Sequence, residues 1–263
     1  MRQFSDPHLA ALTVLVAAAT ISIWAARWRP GRWTVIWARA LALVILAAWI
    51  GEYVAEAAQG TWAAKYNLPL QLTDAVSAVA VLALWTRPQL LVELTYFWAL
   101  TASLQATLTP DLGQSFPSIY YFTYFGYHIG GVVAACFLVF GCRRYPRPGA
   151  FRWVFVATLA FTALVGAGDL ITGGNYMYLR TKPAHNSLLN VMGPWPLYIF
   201  STVVLALAML FVLQLLADWL RRRDRAPANG ARPTPPTVAS DSKLTHRGIR
   251  IARLATRRSA ADQ

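Results

Sequence analysis

Long unbroken apolar runs, not alternating or one-faced ones, dominate this chain. The simplest runs from Leu9 to Ala26, where only Thr13, Thr20 and Ser22 are polar. Runs of about 18–20 apolar residues read as bilayer-spanning helices. Seven such spans are predicted, at about 9–27, 35–57, 70–86, 89–108, 118–141, 152–172 and 196–219. The third and fourth are short and separated only by Arg87-Pro88, which predicts a tight helical hairpin. The expected fold is all-α: a polytopic membrane helix bundle with seven transmembrane helices, residues 1–220. Residues 221–263 follow as a basic, disordered cytoplasmic tail, rich in arginine and without aromatics.

Composition agrees with a membrane class. Of 263 residues, 57% are hydrophobic and only 13% charged, about half the usual share for a soluble domain. Charge placement then orients the spans. With the N-terminus outside, twenty of the 24 Lys and Arg fall on the inner side, and only Arg2, Lys65, Arg180 and Lys182 on the outer. The positive-inside rule therefore predicts N-outside, C-inside, in a multi-pass plasma-membrane protein. No cleavable signal peptide is expected, since Met1 to His8 is weakly charged and arginines follow the first span. The basic tail, with Ile249 to Arg258 as a candidate amphipathic helix, suits anionic lipid. No recognition module or stacking aromatics accompany the charge, so no nucleic acid is expected. Cys136 and Cys142 lie near an inner span end, where a reducing compartment opposes a disulfide.

The polar residues inside the spans are unevenly placed. Leu68-Pro69-Leu70-Gln71-Leu72-Thr73-Asp74 carries a loop into an apolar helix. Glu52, Gln71, Thr73, Asp74, Gln105, His128 and Asp169 come from five spans and all fall in the outer half. Polar groups at membrane depth are usually functional. The competing reading of Thr73 and Asp74 is as caps on the helix start. Tyr124 sits one turn before His128, and Gly130 and Gly131 follow it. His8 and His185 read as exposed and unsupported, so neither a metal site nor a cofactor is expected. The loop 173–195, with Asn175, Tyr176, Tyr178 and Gly193-Pro194-Trp195-Pro196, reads as an ordered lid over an outward cavity.

No His-Glu-x-x-His, Gly-x-Ser-x-Gly, P-loop or dinucleotide fingerprint occurs. What remains is a hydroxyl, a deep imidazole and several acids. Thr73 as nucleophile with His128 as base, oriented by Asp74 or Asp169, would give acyl transfer or ester hydrolysis on a membrane lipid. The alternative is a transporter or small-molecule receptor that uses the outer-half acids.

Five stretches carry a family resemblance: Leu68 to Thr73, Phe97-Trp98-Ala99-Leu100 through Leu108-Thr109-Pro110-Asp111, His128, Asn175 to Leu179, and Gly193 to Pro196. In these the chain resembles the YwaF-like bacterial integral membrane proteins, which are similar to a eukaryotic transmembrane phospholipid acyltransferase. The resemblance spans roughly residues 40–220. It implies a membrane bundle and lipid acyl chemistry. That family carries His and Cys where this chain has Gln71 and Thr73. More distantly, androgen-induced lipid-ester hydrolases pair a membrane threonine with a histidine, which resembles Thr73 with His128.

Overall fold

The computed structural model describes residues 2–183 and 187–225. Every long element among them is a helix. These are α1 (Asp6–Trp28), α2 (Trp33–Ala58), α3 (Leu72–Thr86), α4 (Gln89–Trp98), α5 (Leu104–Leu108), α6 (Ile119–Ala135), α7 (Ala150–Thr172) and α8 (Leu197–Arg225). A π-helical turn, Ala99–Ser103, joins α4 to α5 into one pass, and a second, Cys136–Gly141, extends α6. Pro88 caps α4, and Arg87 before it turns left-handed at φ 59° to end α3.

Five passes are long and apolar enough to cross a membrane: α1, α2, α6 with its π turn, α7 and α8. α3 has 15 residues, about 22 Å of rise, short of a hydrocarbon core of about 30 Å. The pass 89–108 is broken by its π turn. α8 continues to Arg225, so residues 221–225 of the expected tail are helical. The remainder of that tail, with the candidate helix 249–258, lies outside the described residues.

Side-chain contacts fix the direction of each pass. His8 on α1 meets Thr107 at the end of α5, and Arg27 at the other end of α1 meets Phe140. Trp49 and Tyr53 late in α2 reach Asp74 early in α3, while Arg39 lies over Trp85. Asp224 on α8 meets Arg27 and Arg143. The passes thus alternate between an arginine end, with Arg27, Arg87, Arg143, Arg144 and Arg147, and a second end holding the α3 start; the latter is called the site end below.

α6 is the axis of the bundle: 83% of its apolar window is buried, against 11% for α8, so α6 faces protein and α8 is left for lipid. Glycine makes this possible. A Cβ on Gly126 would lie 2.7 Å from Ala48 Cβ, and one on Gly130 2.5 Å from Ile45 Cγ1, so α2 packs against bare backbone. A Cβ on Gly131 would meet Val76 of α3 at 3.1 Å and Ser103 Oγ at 3.4 Å.

Candidate functional site

The start of α3 is held by its own side chains. Gln71 is the extended N-cap residue. Its N–H donates to Asp74 Oδ2 at 2.9 Å, while Trp49 Nε1 and the Tyr53 hydroxyl donate to Oδ1, each at 2.9 Å. Asp74 is buried, and three donors on one carboxylate make that burial tolerable. The capping reading therefore holds for Asp74.

The segment after α7 closes over this start. Gln71 Oε1 accepts from Met177 N at 2.9 Å. Asp169 Oδ1 accepts from Tyr176 N at 2.8 Å. The Tyr176 hydroxyl donates to Ala64 O at 2.7 Å and accepts from Leu68 N at 2.8 Å, pinning the α2–α3 loop. Met177 and Tyr178 both sit at left-handed φ, 53° and 57°, a conformation side chains disfavour unless held. The holding groups are the Gln71 side chain, Asp111 Oδ2, which accepts from the Tyr178 hydroxyl at 2.6 Å, and the Tyr198 hydroxyl, which donates to Tyr178 O. Burial first, and then the bond to Asp111, push the Tyr178 phenol well above its usual range. Asn175 organises the loop itself, accepting from Arg180 N and Thr181 N and donating to Thr181.

Thr73 differs from most helical threonines. Thr86, Thr95, Thr107, Thr158 and Thr162 each donate to the carbonyl four residues back. Thr73 is the second residue of α3, so the equivalent carbonyl, that of Pro69, lies before the helix begins. Among the described residues no partner occupies its hydroxyl. The amides that open a helix likewise lack intrahelical acceptors.

His128 is buried to 2% exposure. Its ring packs against Tyr124 and Tyr127, with centroids 4.3 Å away in both cases. Its Nδ1 is buried with no hydrogen-bond partner. α3 and α6 both run antiparallel to α2, hence parallel to each other. Gly131 packs on Val76. His128 and Thr73 each lie three residues before this contact on their own helices.

Glu52 completes this layer from α2. Asp74 and Glu56 are its charged neighbours, and Tyr127 and Thr123 lie beside its carboxyl group. One oxygen, Oε2, is buried without a partner. So are Ser103 Oγ, in the π turn beside Gly131, and Asp169 Oδ2. Buried polar atoms are normally paired, and π turns recur at functional sites. Neither Asp74 nor Asp169 is recorded bonding His128. Gln105 bonds locally to Thr109, and the Tyr124 hydroxyl donates to Ala106 O at 2.9 Å; both tie the end of α5.

The arginine end is the opposite case. Glu93, fully buried, accepts from Gln89, from Arg147 N, Nε and Nη2, and from Trp153 Nε1. Every oxygen is engaged, so this cluster is structural. His8, expected to be exposed, is fully buried instead: Nε2 lies 2.9 Å from Thr107 O, and Nδ1 accepts from Phe4 N at 2.8 Å. The reason is tertiary: α1 folds back so that its first turn lies against α5 and α6. His185 lies outside the described residues. Among those described, no group of three or more His, Cys, Asp or Glu could hold a metal.

The sequence pattern does not assign roles to Trp49 and Tyr53, though both stand in the polar turn with Glu52 and Glu56 at the end of the second span. Ser103, expected to bond across helices, has its hydroxyl oxygen buried without a partner instead.

Comparison with known proteins comes to one finding: the family model described as the TMEM164 family matches residues 3–214. No curated protein and no solved structure matches the chain.

Proposed function

The chain belongs to the TMEM164 family, a family of transmembrane proteins, and from that footing we propose that it transfers or hydrolyses an acyl group on a membrane lipid. The observation that supports this reading is the buried, unpartnered His128 Nδ1 on α6, the helix whose Gly131 packs on α3, the helix that carries Thr73 in its first turn. Under this reading all seven passes span the plasma membrane, the N-terminus is outside, and the site end faces the outer leaflet. The two short passes then lie in the middle of the bundle, shielded by longer ones.

The chemistry balances with this chain's residues. Thr73 Oγ1 attacks the ester carbonyl carbon while its proton passes to His128. The oxyanion forms at the start of α3, where the amides of Leu72 and Thr73 point outward and the helix dipole favours negative charge. Collapse breaks the ester C–O bond. His128 returns the proton to the departing lipid alkoxide, leaving an acyl-threonine. Water or a second lipid hydroxyl then takes the acyl group by the same steps in reverse. The 173–183 segment, tied to Gln71, to Asp169 and through the Tyr176 hydroxyl to the α2–α3 loop, moves to admit the lipid.

Lipid turnover by purified, folded protein tests the reading. Thr73→Val, which keeps shape and deletes the hydroxyl, should abolish turnover. Thr73→Cys should retain or raise it, because a thiolate is the better nucleophile. His128→Gln should abolish it, since an amide cannot take up the proton. Full turnover in Thr73→Val would end the covalent mechanism. A transporter remains the second reading, motivated by the unpartnered Glu52 Oε2 and Asp169 Oδ2. It expects Asp169→Asn to abolish function and Thr73→Val to be mild.

A further inference from the structure

The other notable feature lies at the arginine end and is independent of the acyl chemistry. α1 and α8 run in the same direction and border a groove there. It is a depression of about 490 Å³ between the two helices, adjoined on the α1 surface by a shallower one that shares Ile23 and Arg27. On α1 the lining is a helical stripe, Thr20, Ile23, Trp24 and Arg27; on α8 it is Leu216, Leu220 and Arg223. Both stripes are apolar toward the bundle centre and cationic at the end.

The charge at that end is unbalanced. Asp224 is the one carboxylate lining the groove. It already accepts from Tyr145 at 2.6 Å, from Arg27 at 3.2 Å and from Arg143 Nε at 3.1 Å. Two guanidinium groups, of Arg27 and Arg143, thus share one carboxylate, and Arg223 lines the same groove without pairing to it. Arg223 is exposed, and its recorded contact is with the Trp219 ring at 5.5 Å. Arg29 lies over the exposed Trp28 at the same edge. A net positive mouth over an apolar trough has the shape and charge of one phospholipid, phosphate outermost and an acyl chain along Ile23, Leu216 and Leu220.

We infer that the α1–α8 groove is a binding site for an anionic membrane phospholipid, with Arg223 as its free phosphate-binding group. Zwitterionic lipid has the same chains but no net charge to match the mouth. Free phosphate has the charge but nothing for the trough. The occupant is therefore the anionic lipid itself.

The test uses the full-length protein in neutral detergent. Thermal unfolding is followed with phosphatidylglycerol, with phosphatidylcholine of the same chains, and with inorganic phosphate, and retained lipid is counted by native mass spectrometry. Phosphatidylglycerol should raise the melting temperature and stay bound; the other two should not. Arg223→Gln should weaken binding about fivefold, the share expected of one arginine at a lipid surface, while Arg223→Lys keeps most of it. Leu220→Trp, which fills the trough, should lose the bound lipid. Equal stabilisation by phosphatidylcholine, or by phosphate alone, would overturn the site. Undiminished phosphatidylglycerol binding in both Arg223→Gln and Leu220→Trp would overturn it too, since the lipid would then sit elsewhere, on the basic C-terminal residues for example.

Discussion

Two buried carboxylates show how residue-scale satisfaction separates support from chemistry. Asp74 and Glu93 are each surrounded by donors. Asp74→Ala would leave the Trp49 and Tyr53 donors and the Gln71 amide stranded. Each buried unsatisfied group costs about 1–3 kcal/mol, so a melting-temperature drop of several degrees is expected. Glu93→Ala should be at least as severe, because it strands the Trp153 Nε1 and Arg147 N donors, each costing about 1–3 kcal/mol when left unpaired and buried. Both variants are read by thermal unfolding in detergent. Thr73→Val, by contrast, removes a partly exposed hydroxyl that bonds nothing else among the described residues and should leave stability within about 0.5 kcal/mol of the parent. That contrast separates a site residue from a structural one without any assay of activity.

At the scale of elements, α6 is the frame and the 173–183 segment is the part bonded over the start of α3. Gly130→Ala should force α6 off α2, costing about 1–3 kcal/mol as overpacking does. Ile45→Ala should restore part of it, because Ile45 is the side chain the new methyl would meet. A double-mutant cycle on unfolding midpoints checks this. The closing segment carries a pH signature through Tyr178. Its phenol is raised in the folded protein, so its contribution is complete below the unfolded value, about pH 10. It is lost as pH rises beyond that toward the folded value. Protease sensitivity of the loop should therefore increase above about pH 10, and Tyr178→Phe should remove that step and loosen the loop at neutral pH.

For the whole molecule, the alternation of passes puts Gly60, just after α2, and Arg225, the last residue of α8, at opposite ends. Reporter fusions at those two positions should therefore report opposite sides of the membrane, with residue 225 in the cytoplasm. Reporters on the same side would remove the membrane placement proposed here, and with it the assignment of the site to the outer leaflet.

The bounds of the helical passes were legible in the residues alone, because apolar run length is a local property and the bilayer demands it. So was the hairpin at Arg87-Pro88, where proline and a left-handed residue end one helix and start the next. The uneven distribution of Glu52, Thr73, Asp74, His128 and Asp169 could likewise be read from their order. What each of them does could not. Asp74 became a saturated cap only when α2 brought Trp49 and Tyr53 to it, and His8 became a buried acceptor only when α1 packed on α5. α6 meets α3 through Gly131 on Val76, a contact between residues far apart in the chain. A side chain's hydrogen-bond state is the sum of groups that folding brings from elsewhere. For a polar residue in lipid, that sum divides structural support from available chemistry, and tertiary structure alone decides it.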